Sequence, residues 1–195
     1  MTIYENREKL LGYSSAVGKI FGSFGLSANF WTALALIITF ISAYFLLIGN
    51  FICAAVFFAV AAFLDSVDGA VARFRKEASK RGAYFDTVSD RYMEGIIILA
   101  LVLLPLPPLY LPSYFWAGLY LFGSMTVTYM RAAAKEKLGR EIKGGLLERP
   151  ERMILTFIGI MSAAFSPIYL TYMLVLLAIF TNITALQRVK IALSV

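Results

Sequence analysis

Six apolar runs, each near the length that crosses a bilayer, constrain this chain more than any other feature. They cover about residues 29–48, 51–75, 82–104, 113–134, 150–165 and 168–186. A helix needs roughly 20 mostly apolar residues to span the hydrocarbon. The fifth run is shorter, and suffices if the bilayer or the helix ends adjust. Hydrophobic residues make up 60% of the chain and mean hydropathy is +0.77, which marks a membrane protein and not a soluble domain. At 195 residues there is no space for a second large domain. The expected fold is an all-α integral membrane protein with one domain over 1–195. Within it, an N-terminal interfacial amphipathic helix lies in 1–22 and six transmembrane helices form a bundle over 29–192.

The 18 Lys and Arg residues fall in four blocks: Arg7 to Lys19, Arg73 to Arg91, Arg131 to Arg152, and Arg188 to Lys190. The connections around Gly49-Asn50, Leu106 to Ser113 and Ser166-Pro167 carry none. By the positive-inside rule the basic blocks face the cytoplasm, and six spans return both termini to that side. The same alternation argues against a nucleic-acid partner for the net charge of +6. Ile3, Leu10, Leu11, Val17, Ile20 and Phe21 mix with Arg7, Lys9 and Lys19 as an interfacial helix would, with a plain solvated leader as the alternative. Gly22, Gly25 and Ser27 end that segment. The four prolines of Pro105 to Pro112 exclude a helix interior. Lys135 to Lys143 extend the fourth helix, and Pro150 suits the first turn of the fifth. Met1 to Arg7 is polar and leads into no cleavable apolar core, so no signal peptide is expected.

One stretch breaks the apolar pattern. Leu64 to Arg91 contains Asp65, Asp68, Asp86 and Asp90 at the edge of the second and third runs. Carboxylates there are costly unless something compensates them. On a helix Asp65 and Asp68 share a face at i and i+3, and Asp86 and Asp90 share one at i and i+4. Two such faces brought together form an oxygen cage for a hard divalent cation, Mg²⁺ or Mn²⁺. Gly69 and Ala72 continue the first face with almost no side chain, leaving room for a ligand beside the metal. Glu94 continues the second face, as a support for the site or as a partner of Arg91. The chain has no His, which excludes the usual His/Cys zinc site and His-based acid–base chemistry. Cys53 sits in an apolar run as a small packing residue.

This stretch resembles the signature of the CDP-alcohol phosphotransferases (CDP-alcohol phosphatidyltransferases). The family's spacing of Asp, Asp-Gly, Ala-Arg, Gly, Asp and Asp is filled without mismatch by Asp65, Asp68, Gly69, Ala72, Arg73, Gly82, Asp86 and Asp90. Family enzymes transfer a phosphatidyl-type group from a CDP-linked lipid to an alcohol and release CMP. The resemblance implies that Asp65, Asp68 and Asp86 are metal ligands. It makes Asp90 the base for the acceptor hydroxyl and the fourth carboxylate of the metal site. It puts Asp65, Asp68, Gly69, Ala72, Arg73 and Gly82 around the nucleotide of the CDP-linked donor. Members commonly open their first span with Asn and Thr at the spacing of Asn29 and Thr32, often after Thr-Pro, where this chain has Ser27-Ala28. The family role is nucleotide binding; the bland reading is an N-cap and a surface threonine.

The acceptor is read from a second resemblance. Glu148-Arg149-Pro150-Glu151-Arg152 is similar to the Glu-Arg-x-x-Arg-like segment of phosphatidylinositol phosphate and archaetidylinositol phosphate synthases. Such members also use a basic residue late in the fourth span and an Arg at the end of the sixth, positions that Arg131 and Arg188 fill. An acceptor carrying a phosphate, such as inositol 1-phosphate, is implied, with CDP-diacylglycerol or CDP-archaeol as donor. Glycerol 3-phosphate, serine or another inositol phosphate are alternatives within the family. Positive-inside anchoring is the alternative role for the arginines. A divalent-cation transporter is the rival from another class, since intramembrane carboxylates also mark ion paths. A homodimer is implied by the resemblance alone.

Overall fold

The structure is a computed structural model that describes residues 14–142 and 144–194. Its helices are α1 (Ala28–Leu47), α2 (Phe51–Phe74), α3 (Lys80–Leu103), α4 (Ser113–Leu138), α5 (Arg149–Ala163) and α6 (Pro167–Leu193). A helical stretch over 14–22 precedes α1. Ile3, Arg7, Lys9, Leu10 and Leu11 of the expected interfacial helix, and Lys143, lie outside the described residues. Among the described residues there is no strand beyond one isolated bridge, Leu109 with Leu111. The six helices coincide with the six apolar runs to within a few residues, except that α6 continues well past Leu186. By length and composition α1, α2 and α6 can each cross a membrane. The first turns of α3 are charged, α4 ends in charge, and α5 has only 15 residues, so spans there rest on more than composition.

Local chemistry sets the helix ends. Ser27 Oγ accepts from Phe30 N at 3.3 Å, so Ser27 caps α1 and Asn29 lies inside its first turn. α1 stops at Gly49, whose φ of +75° supports paired bonds from Gly49 N to Leu46 O and Asn50 N to Phe45 O. Asn50 Oδ1 then accepts from Cys53 N at 3.1 Å, capping α2. α4 ends on Gly139 in the left-handed region, four residues short of the expected Lys143. Pro150 occupies the first turn of α5, as expected.

Two compact units divide the chain: residues 1–41 with 57–94, and residues 42–56 with 95–195. The first is packed around Val17, Trp31, Ala35, Leu64, Val67, Ala70, Val71 and Met93. In lipid there is little hydrophobic drive between helices, so close approach of small residues has to hold them. The stretch 14–22 approaches α2 in that way: a side-chain carbon at Gly18 would come within 2.6 Å of Ala70 O, and one at Gly22 within 2.5 Å of the Phe74 ring. Trp31 adds an edge contact to Phe21, with centroids 5.2 Å apart, and Phe21 meets Phe63 at 5.6 Å.

The second unit is built on α6, against which α4 and α5 pack. Leu170, Leu174, Leu177, Ala178 and Ala185 of α6 are buried, as are Ala117, Tyr120 and Val127 of α4. Gly123 lies so close to Thr181 and Asn182 that a side-chain carbon would fall 2.5 Å from Thr181 Oγ1. Polar bonds supplement the packing: Tyr120 Oη pairs with Thr156 Oγ1 at 3.1 Å, and Asn182 Nδ2 donates to Leu119 O at 3.0 Å. The proline-rich connection is fastened by Thr171 Oγ1 donating to Pro107 O and by Trp116 Nε1 donating to Leu109 O.

Candidate active site

Asp65 and Asp68 leave α2 one turn apart, and Asp86 leaves α3. One carboxylate oxygen from each lies within 4.8 Å of the other two. Asp68 is 5% exposed; Asp65 and Asp86 are half-buried. Three negative charges at that spacing repel unless a cation sits among them. The donors are all hard oxygens, which suits Mg²⁺ or Mn²⁺. Thr32 is also buried, and its Oγ1 donates to Asp68 Oδ2. It is thus no surface threonine: it orients a carboxylate of the trio. Asp90 stands one turn further along α3, outside that group of three, with Oδ2 3.7 Å from Arg91 Nη2. Arg91 Nη1 bonds Glu94 Oε2 at 2.9 Å, which makes Glu94 the partner of Arg91.

A cleft of about 240 Å³ opens beside the carboxylates. Among its lining residues are Asn29, Thr32, Asp68, Gly69, Ala72, Arg73, Gly82 and Asp86. The structure therefore brings every expected nucleotide residue except Asp65 to one cleft, and Asp65 joins through the carboxylate group. Arg73 folds back along α2, so that a side-chain carbon on Gly69 would sit 3.4 Å from its Nη1. At Gly82 such a carbon would come within 3.2 Å of Ser79 Oγ and 3.5 Å of Asn29 Oδ1. Ser27, Glu77, Ala78, Ser79 and Ala83 also line the cleft and were not anticipated. Ser79 carried a legible signal, because a serine three residues before Gly82 can cap a helix start. Its Oγ accepts from Gly82 N at 3.1 Å.

The expected acceptor residues all belong to the second unit. Arg152 is 1% exposed and its Nη1 reaches Leu147 O at 3.5 Å. Arg188 is 5% exposed; Nε donates to Gly144 O at 3.1 Å, Nη1 to Val127 O at 2.8 Å, and Nη2 stands 3.7 Å from Glu148 Oε1. Arg188 feels the positive charges of Arg152 and Arg131 as well as the negative charge of Glu148. Arg131 is exposed and pairs with Glu141 at 2.5 Å. Arg149 is half-buried at the start of α5. Two of the four, Arg152 and Arg188, are therefore buried, and both reach backbone carbonyls. Loop 144–148 is seated on α6, with Leu146 N donating to Gln187 Oε1 and Leu147 N to Thr184 Oγ1, both at 3.0 Å.

An all-helical integral membrane protein with an oxygen-only site for a divalent cation and an adjoining cleft has the equipment of a metal-dependent enzyme of lipid headgroup chemistry. Residues 26–184 match the family described as CDP-alcohol phosphatidyltransferase, and the chain belongs to that family. It is 34% identical over 173 residues to an archaetidylinositol phosphate synthase of Pyrococcus horikoshii, covering 89% of this chain and 87% of that one. It is 33% identical over 114 residues to a phosphatidylinositol phosphate synthase of Corynebacterium glutamicum, covering 57% of this chain and 52% of the other. The fold is similar to that of the Mycobacterium tuberculosis phosphatidylinositol phosphate synthase. Its crystal structure with manganese and citrate aligns at a TM-score of 0.81 and 25% identity, over 92% of this chain and 88% of that one. The same enzyme with CDP-DAG bound aligns at 0.80, over 92% of each chain.

Proposed function

We propose that this chain transfers a phosphatidyl-type group from a CDP-linked lipid, CDP-diacylglycerol or CDP-archaeol, to inositol 1-phosphate and releases CMP. The observation that carries the reading is the cleft, where Asn29, Thr32, Gly69, Ala72, Arg73 and Gly82 meet carboxylates of the Asp65–Asp68–Asp86 group. Small side chains leave space for the nucleoside, and a guanidinium offers charge-assisted bonds to its phosphates. The acceptor reading is supported by the names of the relatives and by the charge gathered around Arg188.

Asp65, Asp68 and Asp86 would hold Mg²⁺ or Mn²⁺, which when bound neutralises charge on the diphosphate. Arg131, Arg149, Arg152 and Arg188 hold the acceptor phosphate. Asp90 takes the proton of the acceptor hydroxyl. The oxygen so freed bonds to the lipid-bearing phosphorus, the bond from that phosphorus to the CMP oxygen breaks, and CMP leaves with the electron pair. All six helices cross the membrane, the 14–22 stretch belongs to an interfacial helix, and the four basic blocks with the active site face the cytoplasm. The lipid tails then stay in the bilayer while the headgroup reacts at its edge. The working form is a homodimer.

The test is CMP release from CDP-diacylglycerol and from CDP-archaeol, with Mg²⁺ and a panel of inositol 1-phosphate, free inositol, serine and glycerol 3-phosphate. Inositol 1-phosphate should be the fastest, and EDTA should abolish release. A preference for an unphosphorylated alcohol overturns the acceptor; no release with any alcohol overturns the reaction. Arg188→Ala and Arg152→Ala should raise the acceptor KM about tenfold to a hundredfold, the worth of one bond between charged groups. Asp90→Asn should instead lower kcat by about two to four orders of magnitude while acceptor binding persists.

A further inference from the structure

One residue of the cleft is held from outside it: Arg73 Nη2 donates to Ser14 Oγ, 2.7 Å away, on the helical stretch that precedes α1. This contact joins residues 59 apart in sequence. Arg73 is thus held from two directions. Gly69, one turn back on α2, leaves the volume into which the guanidinium folds, and Ser14 fixes its far edge. Among the described residues Ser14 is the hydrogen-bond partner of the Arg73 side chain, and that bond opposes a rotamer freedom which for an arginine is worth as much as a hydrogen bond.

The stretch 14–22 is itself held against α2 by close approach. At Gly18 a side chain would strike Ala70 O at 2.6 Å, and at Gly22 the Phe74 ring at 2.5 Å. Phe21 is clasped between Trp31 and Phe63. The distance from Ser14 to Arg73 therefore depends on how closely this helix seats.

We infer that Ser14 is a positioning residue for the CDP-linked donor: it aims the Arg73 guanidinium into the nucleotide cleft, and the seating of the 14–22 helix on α2 sets that aim. The inference rests on the donor reading above. It adds a residue outside the signature stretch and makes donor affinity depend on an element that lines no part of the cleft itself. Ser14 touches no substrate; its effect runs through Arg73.

The experiment is steady-state kinetics in both substrates on Ser14→Ala, Ser14→Thr, Arg73→Lys and the Ser14→Ala/Arg73→Lys pair, with CMP binding measured by calorimetry. Ser14→Ala should raise the KM for the CDP-lipid and the Kd for CMP about threefold to tenfold, as expected for one solvent-exposed hydrogen bond acting through Arg73, and leave the acceptor KM where it was. Ser14→Thr keeps the hydroxyl and should restore the wild-type values. In the Arg73→Lys background, Ser14→Ala should add nothing, because the coupled partner is already gone. Gly18→Val, which lifts the helix from Ala70, should reproduce the donor KM effect of Ser14→Ala. An equal effect of Ser14→Ala with Arg and with Lys at position 73, or a donor KM unchanged by Ser14→Ala in an enzyme that releases CMP normally, overturns the inference. Failure of wild type to release CMP from any CDP-lipid overturns the donor reading instead, so the two failures are distinguishable.

Discussion

Thr32 joins the cleft to the carboxylate trio through one hydroxyl. It lines the cleft, yet its Oγ1 is committed to Asp68, the most buried of the three acids. A bond of that kind holds a ligating carboxylate in one orientation, and losing such a partner typically costs about 10- to 100-fold in metal affinity. Thr32→Val, which keeps the shape and removes the hydroxyl, should weaken Mn²⁺ binding by about that factor, as read by calorimetry or manganese EPR. The trio also carries a stability cost of its own. Three carboxylates within 4.8 Å repel one another when no cation is present. Asp86→Asn should therefore raise the melting temperature in EDTA, while abolishing the stabilisation that Mg²⁺ gives the native protein. A lower melting temperature in EDTA would mean that the repulsion is already relieved within the protein.

Among the elements, loop 144–148 has the strictest demands. Gly144 and Gly145 have φ of +96° and +125°, a region in which side chains are strained. At Gly145 a side-chain carbon would also fall 2.5 Å from Thr184 Cγ2, the residue whose hydroxyl accepts from Leu147 N. Gly144 offers its carbonyl to Arg188 and its N–H to Glu148 Oε1 at 2.8 Å. The loop thus ties the start of α5, with Arg149 and Arg152, to the end of α6, with Arg188. Gly145→Ala should dislodge it. The expected result is a rise in acceptor KM of about tenfold or more with the CDP-lipid KM unmoved, and a loss of about 1–3 kcal/mol in stability, read by thermal unfolding in detergent.

For the whole molecule, charge decides orientation. On the proposed orientation, single cysteines at Asn50, Pro108 and Pro167, on a Cys53→Ala background, should label from outside, and one at Lys76 only from inside. The reverse pattern would move the active site to the other face. The sequence by itself determined whatever depends on neighbours along the chain. The apolar runs located six helices, the prolines marked the 105–112 connection, and i, i+3 spacing put Asp65 and Asp68 on one face. The resemblance of the Asp65–Asp90 stretch pointed to the same cleft residues that the fold assembles. What the sequence left open needs distance across the fold. Thr32 and Asp68 are 36 residues apart, Arg73 and Ser14 are 59, and Arg188 and Val127 are 61. Periodicity reports which face of a helix a residue occupies, but not which helix that face meets. Only the tertiary structure decided that Asp86 joins the carboxylate trio while Asp90 stands outside it. It also decided that Ser27, not Asn29, caps α1, and that Arg152 and Arg188 are buried against backbone carbonyls. In a bilayer such contacts are selected by how closely small residues such as Gly18 and Gly123 let helices approach, and close approach is a property of pairs of surfaces that no single stretch of sequence contains.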